Sequence, residues 1–514
     1  MNMKLSLLSI GLVVLFLFFS TWTPVVIIST HPDNMTYSNR NPQIAVDSSG
    51  NSYVTWQGHD GNDQDIYWVK IDSLGVPGTV EKISIHPDNI NTDDWQPQIA
   101  VDSSGNSYVT WGGFDGNDHD IYWVKIDTSG EPGAVQNISI HPEGTDYDDG
   151  SAQIAVDAAG NSYVTWHGSD GNDIEIYWVK IDSSGVLGTV QKISAHPDNV
   201  TNHDYHPQIA VDAAGNSYVV WHGCDKEGCW EEPGDLEIYW VKIDASGVPG
   251  TVQKIPPTSP DNIDTMAMIP QIAVDASGNS FIVWSGMDEM SYNIYWVKID
   301  SAGNLGTIQR VSAYPDSEHD DVHPETTVDA EGNLYITWEG SEGKYGEIYW
   351  VKSDSEGKSR TVQKISNYLF SAVYDDSDPQ IAIDAAGNSY VAWNSFNGGF
   401  AEQFDQQICW AKIDSTGNPG KVQKISSRQY SKHFDRYPRI CVDSVGNSYI
   451  IWVGHDESKH DHIFFTAHFT DSTPISMIIE IIVVITALVV VIGVIIMLIR
   501  KKKNKTQIMQ ENSR

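Results

Sequence analysis

Three loops of the chain carry acidic and amide side chains around a glycine. Oxygen ligands at alternate positions of a turn suit Ca²⁺, a hard ion that takes six to eight of them. The spacing departs from the twelve-residue calcium loop and lacks its terminal bidentate glutamate, so an Asx-stabilised turn that exposes acids to water is the alternative. The pattern predicts calcium at these loops, with the candidate ligands Asp60, Asn62, Asp63, Asp65, Asp115, Asn117, Asp118, Asp120, Asp170, Asn172, Asp173 and Glu175.

Four histidines are candidates for ligand binding. His167 and His222 each follow directly after a repeated tryptophan. His203 and His206 lie in the segment that enters the next repeat. Imidazole nitrogens brought together from these positions could hold a transition metal, whereas a histidine in an acidic, wet loop is more often only a polar loop residue.

Two tryptophans are also candidates, because they fall outside the pattern that the others follow. Of the 18 tryptophans, fifteen occupy repeated positions, and we interpret these as core residues because an indole buries a large apolar area. Trp95 and Trp230 do not, and we predict them in loops where a ligand can reach them.

The four cysteines divide into two kinds. Cys224 and Cys229 are five residues apart in one loop and are candidates for a disulfide in an oxidising compartment. Cys409 and Cys441 stand within repeated strands, where we interpret them as small buried apolar groups.

A repeated phrase, PQIAVDxxGNSYVxW, recurs eight times with small changes and predicts the elements that position these residues. Each copy continues into IYWVKID and then VQKIS. Alternating β-branched and aromatic residues between Asp, Gly, Asn and Pro predict strands and turns. Each repeat therefore contains strands a (QIAVD), b (NSYVTW), c (IYWVKID) and d (VQKIS). The closing tryptophans are Trp56, Trp111, Trp166, Trp221, Trp284, Trp338, Trp393 and Trp452.

The repeats predict an all-β fold, a single eight-bladed β-propeller of four-stranded blades. The eighth repeat has strands a, b and c but no strand d, whereas residues 25–34 (VVIISTHPDN) match residues 80–89 (VEKISIHPDN). We therefore predict that the N-terminal segment supplies the outer strand of the last blade, which closes the ring and removes its open edges. A β-solenoid of the same repeats is the alternative.

The DxxGNxYVxW phrase followed by an IYxxKID strand resembles the NHL-type and related β-propeller repeats of archaeal and bacterial surface proteins. The resemblance covers about residues 25–469. It implies the fold and says little about function, because propellers host many unrelated activities.

The two ends of the chain predict export and a membrane anchor. Residues 481–499 form an uncharged apolar run that is followed by basic residues, so we predict one transmembrane helix over 475–499 and a cytoplasmic tail over 500–514. Residues 1–23 have the shape of a signal peptide, or of an uncleaved N-terminal anchor. The propeller, residues 24–472, is then an ectodomain outside the cell, and the protein is a single-pass protein of the cell membrane.

The net charge of −37 disfavours nucleic acid and anionic lipid as partners.

In the predicted propeller, the a–b and c–d turns lie on one face, and they are short and nearly invariant. The b–c and d–a loops lie on the other face, and they are long and varied, as functional loops usually are. We expect a binding or adhesion scaffold that holds an extracellular protein or glycan on this second face. We expect no catalytic residue, and no cofactor except possible calcium.

The alternative is a glycan-processing enzyme, a sialidase-like hydrolase, on the same face. Such enzymes hold a substrate carboxylate with clustered arginines. The repeat departs from the sialidase Asp-box because its Asp is followed by x-x-Gly-Asn. No nucleophile motif and no quinone-cofactor signature is present. The few arginines of the predicted ectodomain are Arg40, Arg310, Arg360, Arg428, Arg436 and Arg439.

Overall fold

Eight four-stranded antiparallel sheets make up the part of the chain that the computed structural model describes. The all-β architecture of eight four-stranded blades is therefore confirmed for these residues. They are 22–29, 38–85, 92–140, 148–194, 203–224, 236–256, 266–288, 291–312, 320–342, 345–367, 374–397, 405–426, 434–455 and 460–470.

The chain enters the fold at β1 (Val26–Ile27), which belongs to the last blade. Blade 1 consists of β2 (Asn39–Val46), β3 (Ser52–His59), β4 (Gln64–Ile71) and β5 (Glu81–Lys82). Blade 2 consists of β6 (Asp94–Val101), β7 (Ser107–Phe114), β8 (His119–Ile126) and β9 (Gln136–Asn137). Blade 3 consists of β10 (Asp149–Val156), β11 (Ser162–Ser169), β12 (Ile174–Ile181) and β13 (Gln191–Lys192). Blade 4 consists of β14 (Asp204–Val211), β15 (Ser217–Cys224), β16 (Leu236–Ile243) and β17 (Gln253–Ile255).

The second half of the chain repeats this order. Blade 5 consists of β18 (Ala267–Val274), β19 (Ser280–Asp288), β20 (Ser291–Ile299) and β21 (Gln309–Arg310). Blade 6 consists of β22 (Asp321–Val328), β23 (Leu334–Glu342), β24 (Tyr345–Ser353) and β25 (Gln363–Lys364). Blade 7 consists of β26 (Tyr374–Ile383), β27 (Ser389–Asn397), β28 (Asp405–Ile413) and β29 (Gln423–Lys424). Blade 8 consists of β30 (Arg436–Val442), β31 (Ser448–His455), β32 (Asp461–His468) and β1.

The N-terminal strand completes blade 8, as the sequence predicts. Val26 pairs with Phe465 and Ile27 pairs with Phe464 in antiparallel register. The compact unit runs from Trp22 to His468, so it begins two residues before the boundary expected at residue 24. Strand d of the other blades is shorter than predicted, with two or three residues in the sheet.

The remaining residues, 1–21 and 469–514, group into a separate unit. The predicted signal segment up to residue 21, the helix over 475–499 and the tail over 500–514 lie outside the described residues. Within the described ranges, the structure contains no helix of the length and hydropathy that a membrane crossing requires.

The repeated tryptophans form the core between and within blades. In blade 1, the strand-b residue Trp56 stacks on the cross-strand neighbour Tyr67 with ring centroids 5.9 Å apart. The strand-c residue Trp68 reaches the next blade, where its indole nitrogen donates to Ser107 Oγ at 3.3 Å. The largest fully buried side chains are all tryptophans at these repeated positions, so the predicted inter-blade core is confirmed. Among the described cysteines, Cys409 is buried in β28 and Cys441 is half-buried in β30, and both are free thiols.

The invariant a–b turns serve the fold. In blade 1, Asp47 accepts hydrogen bonds from the backbone nitrogens of Ser49 and Asn51 at 2.9 Å and from the Tyr53 hydroxyl at 2.9 Å. Gly50 has φ +80°, and a Cβ at that position would meet the hydroxyl of Tyr449 from blade 8 at 2.9 Å. Glycine is therefore required both by the left-handed backbone and by the approach of the preceding blade.

Candidate functional site

The a strands line the axis of the ring, because each contacts the a strand of the next blade all the way round. Each carries one β-bulge near its start, where a non-glycine residue has φ between 50° and 55°. Such a backbone is strained, and strain that persists at a repeated position is often found where side chains are presented to a ligand. The strained residues are Asn41, Gln96, Ser151, His206, Ile269, His323, Asp378 and Tyr437.

The eight residues that lie two positions beyond the strained residues form what we call the axial ring. Its members occupy the same register in every blade, as the pairs Gln43 with Thr55 and Arg439 with Ile451 illustrate. Six blades contribute glutamine, whereas blade 6 contributes a glutamate and blade 8 an arginine. The axial ring is Gln43, Gln98, Gln153, Gln208, Gln271, Glu325, Gln380 and Arg439.

A cavity of about 270 Å³ opens between the a strands of blades 1 to 4 and blade 8. Glutamines of the axial ring and polar residues of the bulges line it, so it offers both hydrogen-bond donors and acceptors. Strand a starts at the end of the d–a loop, so the bulge side of this cavity belongs to the predicted functional face. The lining residues that the argument uses are Asn41, Gln43, Gln98, Gln153, His206 and Arg439.

The two charged members of the axial ring are joined to glutamines and not to each other. Gln380 Nε2 donates to Glu325 Oε1 at 3.0 Å. Arg439 Nε donates to Gln43 Oε1 at 3.3 Å, and its Nη1 donates to the Pro438 carbonyl at 3.0 Å. Burial raises the pKa of Glu325, although the charge of Arg439 opposes the shift. The axial ring thus has one acidic and one basic member among its amides, and of these two Arg439 lines the cavity.

A further acidic group lies beside the axial ring in blades 6 and 7. His323 Nδ1 is 3.4 Å from Glu339 Oε2, and this hydrogen bond raises the pKa of the histidine. Burial raises the pKa of Asp378, and the nearby charge of Glu339 adds to the shift. Two carboxyl groups with raised pKa, Glu325 and Asp378, therefore lie near one arginine, which is an arrangement that could also transfer protons.

Three of the predicted histidines come together on the opposite side of the ring, in blades 3 and 4. The rings of His206 and His222 are stacked with centroids 5.0 Å apart, and His167 lies 6.3 Å from His206. His206 lines the cavity, whereas the other two lie behind it. In the described part of the chain, Nδ1 of His167 and Nδ1 of His222 are buried without a hydrogen-bond partner.

Burial keeps these imidazoles neutral. It lowers the pKa of His167 to about 4 and the pKa of His222 to about 3, and in both cases a neighbouring histidine adds to the shift. It also lowers the pKa of His206. Among the described residues, the sets whose ligand atoms lie within 4.8 Å of one another are acidic, and this histidine cluster is not one of them. The structure therefore brings three histidines together without forming the chelate that a transition metal requires.

The other predicted ligand-binding residues have different positions. His203 Nδ1 accepts a hydrogen bond from the Ile174 backbone nitrogen at 3.1 Å, so it holds the b–c turn of blade 3. Trp95 was expected in a loop, but it is the second residue of β6, with its ring centroid 4.9 Å from that of His119. The bulge explains this difference, because it extends strand a beyond the repeated phrase. Trp230 lies outside the described residues.

The predicted calcium ligands do cluster in each of the three loops. Carboxylate oxygens of the three acids in each loop lie within 4.8 Å of one another. In blade 1, however, the ammonium of Lys82 lies 2.6 Å from Asp65 and 3.4 Å from Asp60. In blade 3, Lys192 makes the corresponding ion pairs, with Asp170 at 3.0 Å and with Glu175. A lysine thus already supplies a cation to two of the three loops.

Blade 2 differs from blades 1 and 3 at this point. The residue that pairs with Tyr122 is Asn137, where the other two blades have lysine. The position that holds Lys82 in blade 1 and Lys192 in blade 3 is therefore occupied by an uncharged amide in blade 2. Each loop contains one exposed asparagine, which is Asn62, Asn117 or Asn172. Its backbone nitrogen donates a hydrogen bond to Oδ1 of the first aspartate of the loop, as in an Asx turn.

Calcium binding remains a prediction for the loops of blades 1 to 3, and the ion pairs with Lys82 and Lys192 are expected to weaken it in blades 1 and 3. Titration calorimetry with Ca²⁺ is expected to show its tightest site in blade 2, which Asn137→Lys weakens because it places an ammonium beside the acids. The matched control is Lys82→Arg, which keeps the cation of blade 1 and is expected to leave the titration unchanged. An absence of heat, together with the same melting temperature in chelator and in millimolar calcium, would show that all three loops are only turns.

The predicted disulfide also remains untested. Cys224 is buried at the end of β15, and Cys229 lies outside the described residues.

The sequence contains a signal for the axial ring that the motif search did not use. The repeated phrase begins PQIAVD, yet blade 6 has Glu325 and blade 8 has Arg439 in place of the glutamine. A position that is polar in every repeat and charged in only two is a better indication of a binding surface than a tryptophan outside the repeat. The proline before the glutamine is a second signal, because proline inside a central strand marks a bulge.

Comparisons with known proteins give only distant structural likenesses. No protein-family model matches the chain, and no curated protein matches it. Among solved structures, the polysaccharide lyase Uly1 is 9% identical, with a TM-score of 0.43, over 76% of this chain and 91% of that one. The NanB sialidase from Streptococcus pneumoniae is 11% identical, with a TM-score of 0.33, over 87% and 71%. A GH93 α-L-arabinofuranosidase of Fusarium graminearum is 10% identical, with a TM-score of 0.37, over 62% and 92%. Likenesses this distant carry no information about activity.

Proposed function

We propose that the protein is a non-catalytic binding module of the cell surface, anchored by the predicted helix over 475–499, that holds an extracellular glycan in its axial cavity. The observation that carries this proposal is the cavity of about 270 Å³ that is lined by four glutamines of the axial ring, Gln43, Gln98, Gln153 and Gln208. Each glutamine amide offers two donors and an acceptor, which match the hydroxyl groups of a sugar. The volume lies just below the range of drug-sized ligand pockets, so it suits a small polar group such as one end of a glycan.

A protein partner, which the face of long b–c and d–a loops also suggested, is less favoured than a glycan. Specific protein interfaces bury roughly 800 Å² on each partner around apolar or aromatic anchors. The axial cavity is instead concave and polar, with Gln98, Gln153 and His206 in its wall. A glycan needs no apolar anchor of that kind.

A glycan array probed with the full-length protein in detergent tests the proposal. We expect specific binding, and we expect Gln98→Ala combined with Gln153→Ala to weaken it by about tenfold or more, because each substitution removes hydrogen bonds to the ligand. The control is Glu131→Ala, which changes an exposed residue of a c–d turn on the other face. Binding that the double variant retains, or that the control loses, would contradict the proposed site.

The second candidate function is glycan hydrolysis, which the pair Glu325 and Asp378 favours. Burial raises the pKa of both carboxyl groups, as a general acid requires, and Arg439 lies near them. Release of fluorophore from a panel of aryl glycosides, abolished by Glu325→Gln, would establish this function in place of simple binding.

A further inference from the structure

The two charged residues of the axial ring break the repeat at one and the same position. Six blades show that glutamine satisfies the structural needs of this position. A charged side chain in a partly buried position costs free energy unless it is paired. Glu325 and Arg439 therefore bring a cost that six of the eight blades avoid, and this suggests a role beyond folding.

The guanidinium of Arg439 forms no close ion pair in the described part of the chain. Its hydrogen bonds go to Gln43 Oε1 and to the Pro438 carbonyl, which are both uncharged acceptors. Among the described residues, no carboxylate oxygen lies within 4.0 Å of the guanidinium nitrogens, although Glu325 and Asp378 lie near enough for their charges to act on Arg439. Glu325 in turn accepts from the neutral amide of Gln380. Arg439 also lines the cavity, so its charge lies where a ligand can meet it.

Resting on the proposed function, we propose that the axial cavity selects a carboxylate-bearing glycan, an acidic sugar whose carboxylate binds Arg439 while its hydroxyl groups bind the glutamines. A planar guanidinium recognises a planar carboxylate through two parallel hydrogen bonds, and such bonds are strongest where water is excluded. The remaining surface carries an excess of acidic residues, so this arginine supplies a local attraction that the rest of the protein does not.

Glu325 and Asp378 determine how selective the site is. Their negative charges would repel an acidic sugar, but burial raises the pKa of both groups and so weakens that repulsion. Glu325 is therefore a specificity residue that acts against binding, and its conversion to the glutamine of the other blades is expected to tighten the complex.

The test uses the full-length protein in detergent and titration calorimetry with two sets of oligosaccharides. One set contains uronic acids, and the other contains the same oligosaccharides with each carboxyl group reduced to a hydroxymethyl group. We expect the acidic set to bind about 100-fold more tightly, because two charge-assisted hydrogen bonds are at stake. Arg439→Gln restores the repeat residue and is expected to abolish this difference. Glu325→Gln is expected to tighten binding of the acidic set several-fold.

The control is Arg310→Gln, which makes the same change in net charge on the outer strand β21 and is expected to leave both affinities unchanged. Equal binding of the two sets by the wild-type protein would overturn this inference and leave the proposed function standing. Binding of neither set would overturn both. Tighter binding of sulfated neutral oligosaccharides than of uronates would overturn the assignment to carboxylate.

Discussion

Removal of residues 22–30 is expected to unfold or aggregate the propeller at temperatures where the intact protein is stable. The N-terminal segment contributes far more to blade 8 than the two paired residues of β1. Thr23 N donates to the Ala467 carbonyl at 2.8 Å, and Ile28 N donates to the Ile463 carbonyl at 2.9 Å. The Trp22 indole nitrogen donates to Gln423 Oε1 of blade 7 at 2.9 Å. The segment therefore links blade 8 to its neighbour as well as completing it.

The size of the effect follows from these contacts. Several net hydrogen bonds at about 1 kcal/mol each, together with the buried side chain of Ile28, give a loss on the order of 5 to 10 kcal/mol. The loss also exposes β32 as an open edge with Phe464 and Phe465, which invites pairing with other chains. Differential scanning calorimetry and light scattering are the measurements. A chain that starts at Pro24 lacks Trp22 and Thr23. Its melting temperature is therefore expected to lie between that of the intact protein and that of the chain without residues 22–30.

Ile27, the last residue of β1, and Ile28, which directly follows it, provide a matched control. Ile28 is 2% exposed and Ile27 is 38% exposed, because successive side chains of an extended segment point to opposite sides. Ile28→Ser is expected to lower the melting temperature by several degrees, and Ile27→Ser to change it little. Equal effects of the two substitutions would contradict the observed register, and normal melting of a chain that starts at residue 31 would show that blade 8 is stable with three strands.

Acidification from pH 6.5 to pH 4.5 is expected to destabilise the propeller through its buried histidines. His167 and His222 have folded-state pKa values of about 4 and about 3, below the ordinary value of 6.5. In this range the two histidines bind protons in the unfolded state but not in the folded state. Their contribution to the free energy of unfolding is therefore fully present above pH 6.5 and is lost as the pH falls. At about 1.4 kcal/mol for each pH unit, the two histidines together account for roughly 5 kcal/mol at pH 4.5.

The histidine contribution must be separated from that of the acids. Burial raises the pKa of Asp65 to about 7 and that of Glu175 to about 7, so protonation of these groups stabilises the fold over the same range. The difference between variant and wild type isolates the histidines. His222→Gln introduces the residue that blade 1 has at the equivalent position, Gln57, and is expected to flatten the fall in chemical-denaturation stability with pH. The control is His59→Gln, which changes a half-buried histidine at the end of β3 and is expected to leave the profile unchanged. Parallel profiles for wild type and His222→Gln would contradict the assignment.

The number of blades and the closing strand were predictable because both depend on local pattern. The phrase that closes with tryptophan recurs at nearly constant spacing, and residues 25–34 match residues 80–89 at seven of ten positions. Strand periodicity of this kind survives in the sequence because one face of each strand must be buried. The axial ring was not predicted, because the strained bulge at residues such as His206 redirects the side chains that follow it.

The lysine in the acidic loops shows a second limit of sequence reasoning. Lys82 is 22 residues away from Asp60 in the chain, and only the pairing of strands c and d brings the two together. The acidic motif alone predicts an ion, whereas the cross-strand register supplies an ammonium in its place. The same register leaves Asn137 in blade 2, a difference that has no meaning until the strands are paired.

The position of β1 also governs the order of events during biosynthesis. The Ser29 hydroxyl accepts a hydrogen bond from the Ile463 backbone nitrogen, and these two residues are 434 positions apart. At roughly 5 to 20 residues per second, a ribosome needs about 20 to 90 s to make the partner after the strand has emerged. During that time the first segment synthesised stays unpaired while seven blades are completed behind it. The last step of folding is thus the joining of the first and the last strands of the propeller, and a ribosome that stalls inside blade 8 leaves a ring that cannot close.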